Sequence, residues 1–127
     1  MLVSLIGTPW MPTIEGGVLF IEDVNEHPYR VERMLLQLVH AGILQKQKAV
    51  LFGDFSAYNL SEYDNGYNFD SMLAFMRQHV SIPILQGLQF GHTLDKLTLP
   101  VGAKAHLQSD AQGFSLAISN YPHLAVA

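Results

Sequence analysis

Two short stretches of this 127-residue chain carry side chains that could move protons. The first, Phe20-Ile21-Glu22-Asp23-Val24-Asn25-Glu26-His27-Pro28-Tyr29-Arg30, runs from an apolar strand into acidic residues and a helix start. The second, Gly87-Leu88-Gln89-Phe90-Gly91-His92, is a glycine-bracketed turn that ends on an imidazole. Together they offer the parts of an acid/base pair. Glu22 directly follows four apolar residues, so it sits at or near the buried end of a strand, where an unpaired charge is costly and a partner is needed. The acidic group also has a structural explanation, because carboxylates at a helix N-terminus are stabilised by roughly 0.3–1 kcal/mol. His92 alone reads equally as a surface or structural histidine, although Gly91 lets backbone approach closely there. The other five histidines (His27, His40, His79, His106 and His123) show no metal-ligand spacing. Spacing leaves these alternatives open.

The elements that must position these residues follow from hydrophobic pattern. Leu2 to Ile6 reads as a buried strand, closed by Gly7-Thr8-Pro9-Trp10-Met11-Pro12. Val18-Leu19-Phe20-Ile21 is an apolar run suited to a strand covered on both faces. Pro28 suits the first turn of a helix, and Val31, Met34, Leu35, Leu38 and Val39 continue it to a stop at Gly42. Ala49-Val50-Leu51-Phe52 is the next buried strand, ending at Gly53-Asp54, and Ser56 to Asn68 is a polar surface loop. Met72, Leu73, Phe75 and Met76 mark a second helix, and Ile82-Pro83-Ile84-Leu85 a short third strand. From Lys96, alternation at Leu97, Leu99, Val101, Ala103, Ala105, Leu107, Phe114, Leu116 and Ile118 predicts two or three antiparallel strands. The expected fold class is α/β, with a β-α-β-α-β core followed by antiparallel strands, in a single domain over residues 1–127.

Composition narrows the partners. Hydrophobic residues make up 49% and charged residues only 14%, so part of the surface is expected to face another domain or subunit. The net charge of −4 and the scattered basic residues argue against nucleic acid or an anionic membrane. No cysteine is present, which removes disulfides and thiolate metal sites and fits a cytoplasmic protein. Apolar runs fall short of the roughly 18–20 residues that span a bilayer. The opening residues lack the charge and length of a secretory signal, and a start inside a core strand has the pattern of a cut end.

Taken in order, six stretches resemble the C-terminal half of the LD-carboxypeptidases, the muramoyltetrapeptide carboxypeptidase family of serine peptidases. They are Ile6-Gly7-Thr8-Pro9-Trp10, Gly17-Val18-Leu19-Phe20-Ile21-Glu22-Asp23, His27-Pro28-Tyr29-Arg30-Val31-Glu32-Arg33-Met34-Leu35, Gly53-Asp54-Phe55, Gly87-Leu88-Gln89-Phe90-Gly91-His92 and Leu99-Pro100-Val101-Gly102-Ala103. The resemblance implies a C-terminal domain of the swivelling β/β/α type. It also implies an N-terminal domain, absent here, that carries the nucleophilic Ser on a Gly-x-Ser turn. It assigns Glu22 and His92 to the Glu and His of a Ser-His-Glu triad. The implied reaction is hydrolysis of the L,D-amide that releases terminal D-alanine from a cytoplasmic murein tetrapeptide, with no metal or organic cofactor.

None of the eight serines follows a strand in a way that suggests a nucleophile elbow, so the chain alone is expected to be inactive. Its expected partners are the Ser-bearing domain, the tetrapeptide and a second copy in a homodimer. Trp10 could line the substrate cleft or pack at the interdomain contact. Arg30 could bind a substrate carboxylate or pair with Glu26 four residues earlier. Asp23 reads as a structural acid and Tyr29 as a core residue. The alternative to an enzyme is a non-catalytic binding or dimerisation module that retains these motifs. A metal-dependent hydrolase built on Glu22, Glu26 and His27 is a third reading.

Overall fold

The computed structural model describes residues 1–121, which fall into two compact units, Met1–Lys96 and a second from Leu97 onward. In the first unit, β1 (Val18–Val24), α1 (Pro28–His40), β2 (Ala49–Ser56), α2 (Phe69–His79) and β3 (Ile84–Gln86) follow in sequence. The three strands form a parallel sheet in the order β1-β2-β3. β2 is therefore central, which is why Val50, Leu51 and Phe52 form an uninterrupted apolar run and are fully buried. Each side chain of that kind contributes roughly 1.5–3 kcal/mol when it leaves water. Val31, Leu35 and Leu38 of α1 and Met72, Leu73 and Met76 of α2 complete the core.

Helix boundaries follow from local chemistry. Pro28 opens α1, with His27 as its N-cap. At its end the Gly42 N–H donates to Val39 O (2.9 Å) and the Ile43 N–H to Leu38 O (3.0 Å), with Gly42 at φ +69°. That is a Schellman stop, and it needs a residue tolerant of the left-handed region. The Asn68 side chain caps α2 by accepting from the Ser71 N–H at 2.9 Å. Among the described residues, no helix is long and apolar enough to cross a membrane.

The second unit contains an antiparallel hairpin, β4 (Lys104–Asp110) and β5 (Gly113–Ser119), in register from Lys104↔Ser119 to Asp110↔Gly113.

The α/β class and the element order agree with the sequence reading; several details differ. Leu2–Leu5 is a 3-10 turn rather than a strand. The Ser4 hydroxyl donates to Met1 O and the Thr8 hydroxyl to Leu5 O, local bonds that compete with extended structure. Residues 97–103 form no strand, because Pro100 lacks an N–H and Gly102 turns at φ +84°. β2 does not end at Gly53-Asp54 but runs on to Ser56. β3 begins only after Pro83, whose carbonyl accepts from the Val50 N–H. A 3-10 turn, Glu62–Asp64, interrupts the polar loop. Tyr29 is 46% exposed rather than in the core: it lies off the α1 face formed by Pro28, Val31, Leu35 and Leu38, and Arg33 sits over its ring.

Candidate active site

Glu22 is the fifth residue of β1, and its position in the sheet is irregular. Ile21 pairs with Phe52, and Asp23 pairs with Phe55, so Gly53 and Asp54 together oppose Glu22. One extra residue on β2 makes a bulge, a device that redirects side chains beside functional sites. Beyond β3 the chain continues along β2: the Leu88 N–H donates to Phe52 O (3.2 Å) and the Asp54 N–H to Phe90 O (2.7 Å). Gly91 then turns at φ +132°, where a Cβ would stand 2.9 Å from Asp54 Cβ and 3.3 Å from Glu22 Cβ. Glycine is required at that approach.

These contacts bring together two residues 70 positions apart. His92 Nδ1 lies 2.8 Å from Glu22 Oε2. A carboxylate only accepts, so Nδ1 carries the proton and Nε2 is left as the basic nitrogen. The His92 side chain is 63% exposed and that of Glu22 only 24%, so the carboxylate is the sheltered partner and the imidazole the accessible one. This arrangement can hold one imidazole tautomer, present Nε2 as a proton acceptor and stabilise the imidazolium once it forms.

The surrounding acids have separate roles. The carboxyl of Asp23 is raised above its usual range, first by burial and then by the charge of Glu26, with Glu22 adding less. The Asp54 Oδ2 atom is buried and has no hydrogen-bond partner among the described residues. Arg30 Nε lies 2.7 Å from Glu26 Oε2, the surface pairing that the i,i+4 spacing offered, although the oxygen is out of line for an N–H bond. His27 accepts from the Tyr29 N–H at Nδ1 and faces Asp64 Oδ1 at 2.9 Å through Nε2, so its ring ties the start of α1 to the loop after β2. Tyr67 donates its hydroxyl to Glu32 Oε2 beside that tie. Trp10 is 78% exposed on the turn after Leu5 and, among the described residues, makes no hydrogen bond or aromatic contact with the Glu22–His92 pair.

Sequence reasoning did not single out the bulge at Gly53-Asp54 or the placement of Phe90. The signal was a glycine inside a strand, which marks a bulge or a close backbone approach.

The sequence and fold of this chain are shared with a known family. The profile described as LD-carboxypeptidase C-terminal domain matches residues 1–107, and the chain belongs to that family. The crystal structure of muramoyltetrapeptide carboxypeptidase from Oxalobacter formigenes superposes with a TM-score of 0.94 at 60% identity, covering 97% of this chain and 42% of that one. A putative carboxypeptidase of Synechocystis sp. is 36% identical over 106 residues, 84% of this chain and 35% of its own length. The probable murein peptide carboxypeptidase of Bacillus subtilis is 32% identical over 109 residues, 86% of this chain and 34% of its own. The chain thus spans about a third of the length of these two relatives.

Proposed function

We propose that this chain is the C-terminal domain of a serine LD-carboxypeptidase. The enzyme hydrolyses the L,D-amide of a cytoplasmic murein tetrapeptide and releases terminal D-alanine. His92 is the general base, Glu22 orients it, and the Ser nucleophile comes from an N-terminal domain of the same enzyme. The observation that carries this reading is the 2.8 Å bond from His92 Nδ1 to a sheltered Glu22, which leaves Nε2 accessible. The substrate class is supported by the names of the relatives, a muramoyltetrapeptide carboxypeptidase and a probable murein peptide carboxypeptidase.

In that mechanism the Ser hydroxyl attacks the carbonyl carbon before D-alanine and passes its proton to His92 Nε2. The tetrahedral intermediate then collapses, the C–N bond breaks, and the imidazolium returns the proton to the departing amine. Water attacks the acyl-enzyme in a second cycle of the same transfers, freeing the tripeptide carboxylate and the Ser hydroxyl. Glu22 takes up no proton: it fixes the tautomer and offsets the imidazolium charge. The test is D-alanine release by the protein that joins this domain to its Ser-bearing domain. His92→Ala is expected to abolish release without changing the fold, and a His92→Ala enzyme at the wild-type rate would end the proposal.

A further inference from the structure

Phe20 and Glu22 are two residues apart on β1 and therefore share one face of the sheet. Phe20 pairs with Leu51, and Gly53 lies two residues further along β2, in the bulge opposite Glu22. A Cβ at Gly53 would collide with the Phe90 carbonyl oxygen and lie 3.3 Å from Phe90 Cβ. That carbonyl is the one that accepts the Asp54 N–H at 2.7 Å. The Phe90 ring meets Phe20 edge-on, with centroids 4.9 Å apart.

We infer that Gly53 and Phe90 are positioning residues for the Glu22–His92 pair: the slot left by the missing Gly53 side chain seats Phe90, and that seat determines where His92 emerges. The inference takes its functional meaning from the proposed acid/base role, but its geometry is readable without turnover. Neither residue touches the reacting atoms. An alanine at Gly53 would press on backbone rather than on the end of a flexible side chain, so only movement of the 88–92 segment relieves it. Because Gly91 already holds that segment against Asp54 and Glu22, the displacement passes to His92.

The test is the imidazole ¹H–¹⁵N spectrum of the 127-residue chain at about pH 9, well above the reference value for histidine. The wild-type chain is expected to show His92 with its proton on Nδ1. Gly53→Ala should retain the amide pattern of the core and lose that Nδ1–H preference. Phe90→Ala, which removes the ring from Phe20, should shift His92 in the same direction and decides the matter if Gly53→Ala fails to fold. A folded Gly53→Ala chain with the wild-type imidazole spectrum, or an unmoved His92 in Phe90→Ala when that variant must decide, overturns the inference. In the enzyme carrying the Ser domain, Gly53→Ala should lower kcat about 100-fold with KM nearly unchanged, the signature of a misplaced catalytic group. A Glu22→Gln enzyme at the wild-type rate would instead remove the proposed function and leave the positioning geometry standing.

Discussion

Phe20 packs edge-on against Phe90 at an interplanar angle of 83°, and two residues further along each segment Glu22 meets His92. An apolar contact thus anchors the two segments beside the polar pair. Leu88, two residues before Phe90 and 6% exposed, anchors the second segment in the first unit's interior. Leu88→Ala is expected to cost about 2–5 kcal/mol, the range for truncating a buried leucine. Urea unfolding at constant slope measures it, and a loss near zero would mean that the segment is held by its backbone bonds alone.

In the proposed mechanism this chain supplies the base and the other domain supplies the nucleophile. Among the described residues no serine hydroxyl bonds to His92. The purified 127-residue chain is therefore expected to release no D-alanine from murein tetrapeptide above the uncatalysed rate. Release sensitive to serine-directed reagents would show that a nucleophile had been overlooked.

Asp64 predicts an acid-dependent loss of stability. Its carboxyl is held below the usual 3.8, first by the Ser61 backbone N–H, then by the Ser61 hydroxyl and His27. A folded-state value below the unfolded one stabilises the fold fully above 3.8 and is lost as pH falls through the lower folded value. The Tm advantage of wild type over Asp64→Asn should hold near neutrality and shrink in acid. A gap independent of pH would contradict the assignment.

Asp23 carries the opposite sign. Burial, then the Glu26 charge, raises its carboxyl above 3.8, so folding penalises the charged form. The penalty is complete above the raised value and vanishes below 3.8. Asp23→Asn should therefore be more stable than wild type at neutral pH and lose that advantage in acid. Denaturant midpoints at the two conditions measure it.

Most of the fold was legible because its signals are local. The α1 face at Val31, Leu35 and Leu38, the stop at Gly42 and the run Ala49–Phe52 each announce themselves within a few residues. The errors arose where local signals are ambiguous. The stretch Leu2–Ile6, apolar except for Ser4, suits a strand or a helical turn equally, and hydroxyl-to-carbonyl bonds select the turn. The β2 bulge depends on which residues pair across strands, which no window of sequence contains. The same applies to the site: Glu22 showed that it needed a partner and His92 stood out on its glycine-bracketed turn, but a contact across 70 residues is set by topology, and only the family resemblance paired the two.

If the Glu22–His92 hydrogen bond is catalytic, Glu22→Gln in the enzyme that joins this domain to its Ser-bearing domain must slow turnover. The amide keeps the shape of the side chain but can present its NH₂ to Nδ1, favouring the wrong tautomer. By analogy with the Asp→Asn change in serine-protease triads, kcat for D-alanine release should fall by about 10⁴ while the fold is unchanged. A folded Glu22→Gln enzyme with a near wild-type kcat would contradict the account and leave the 2.8 Å bond a structural contact.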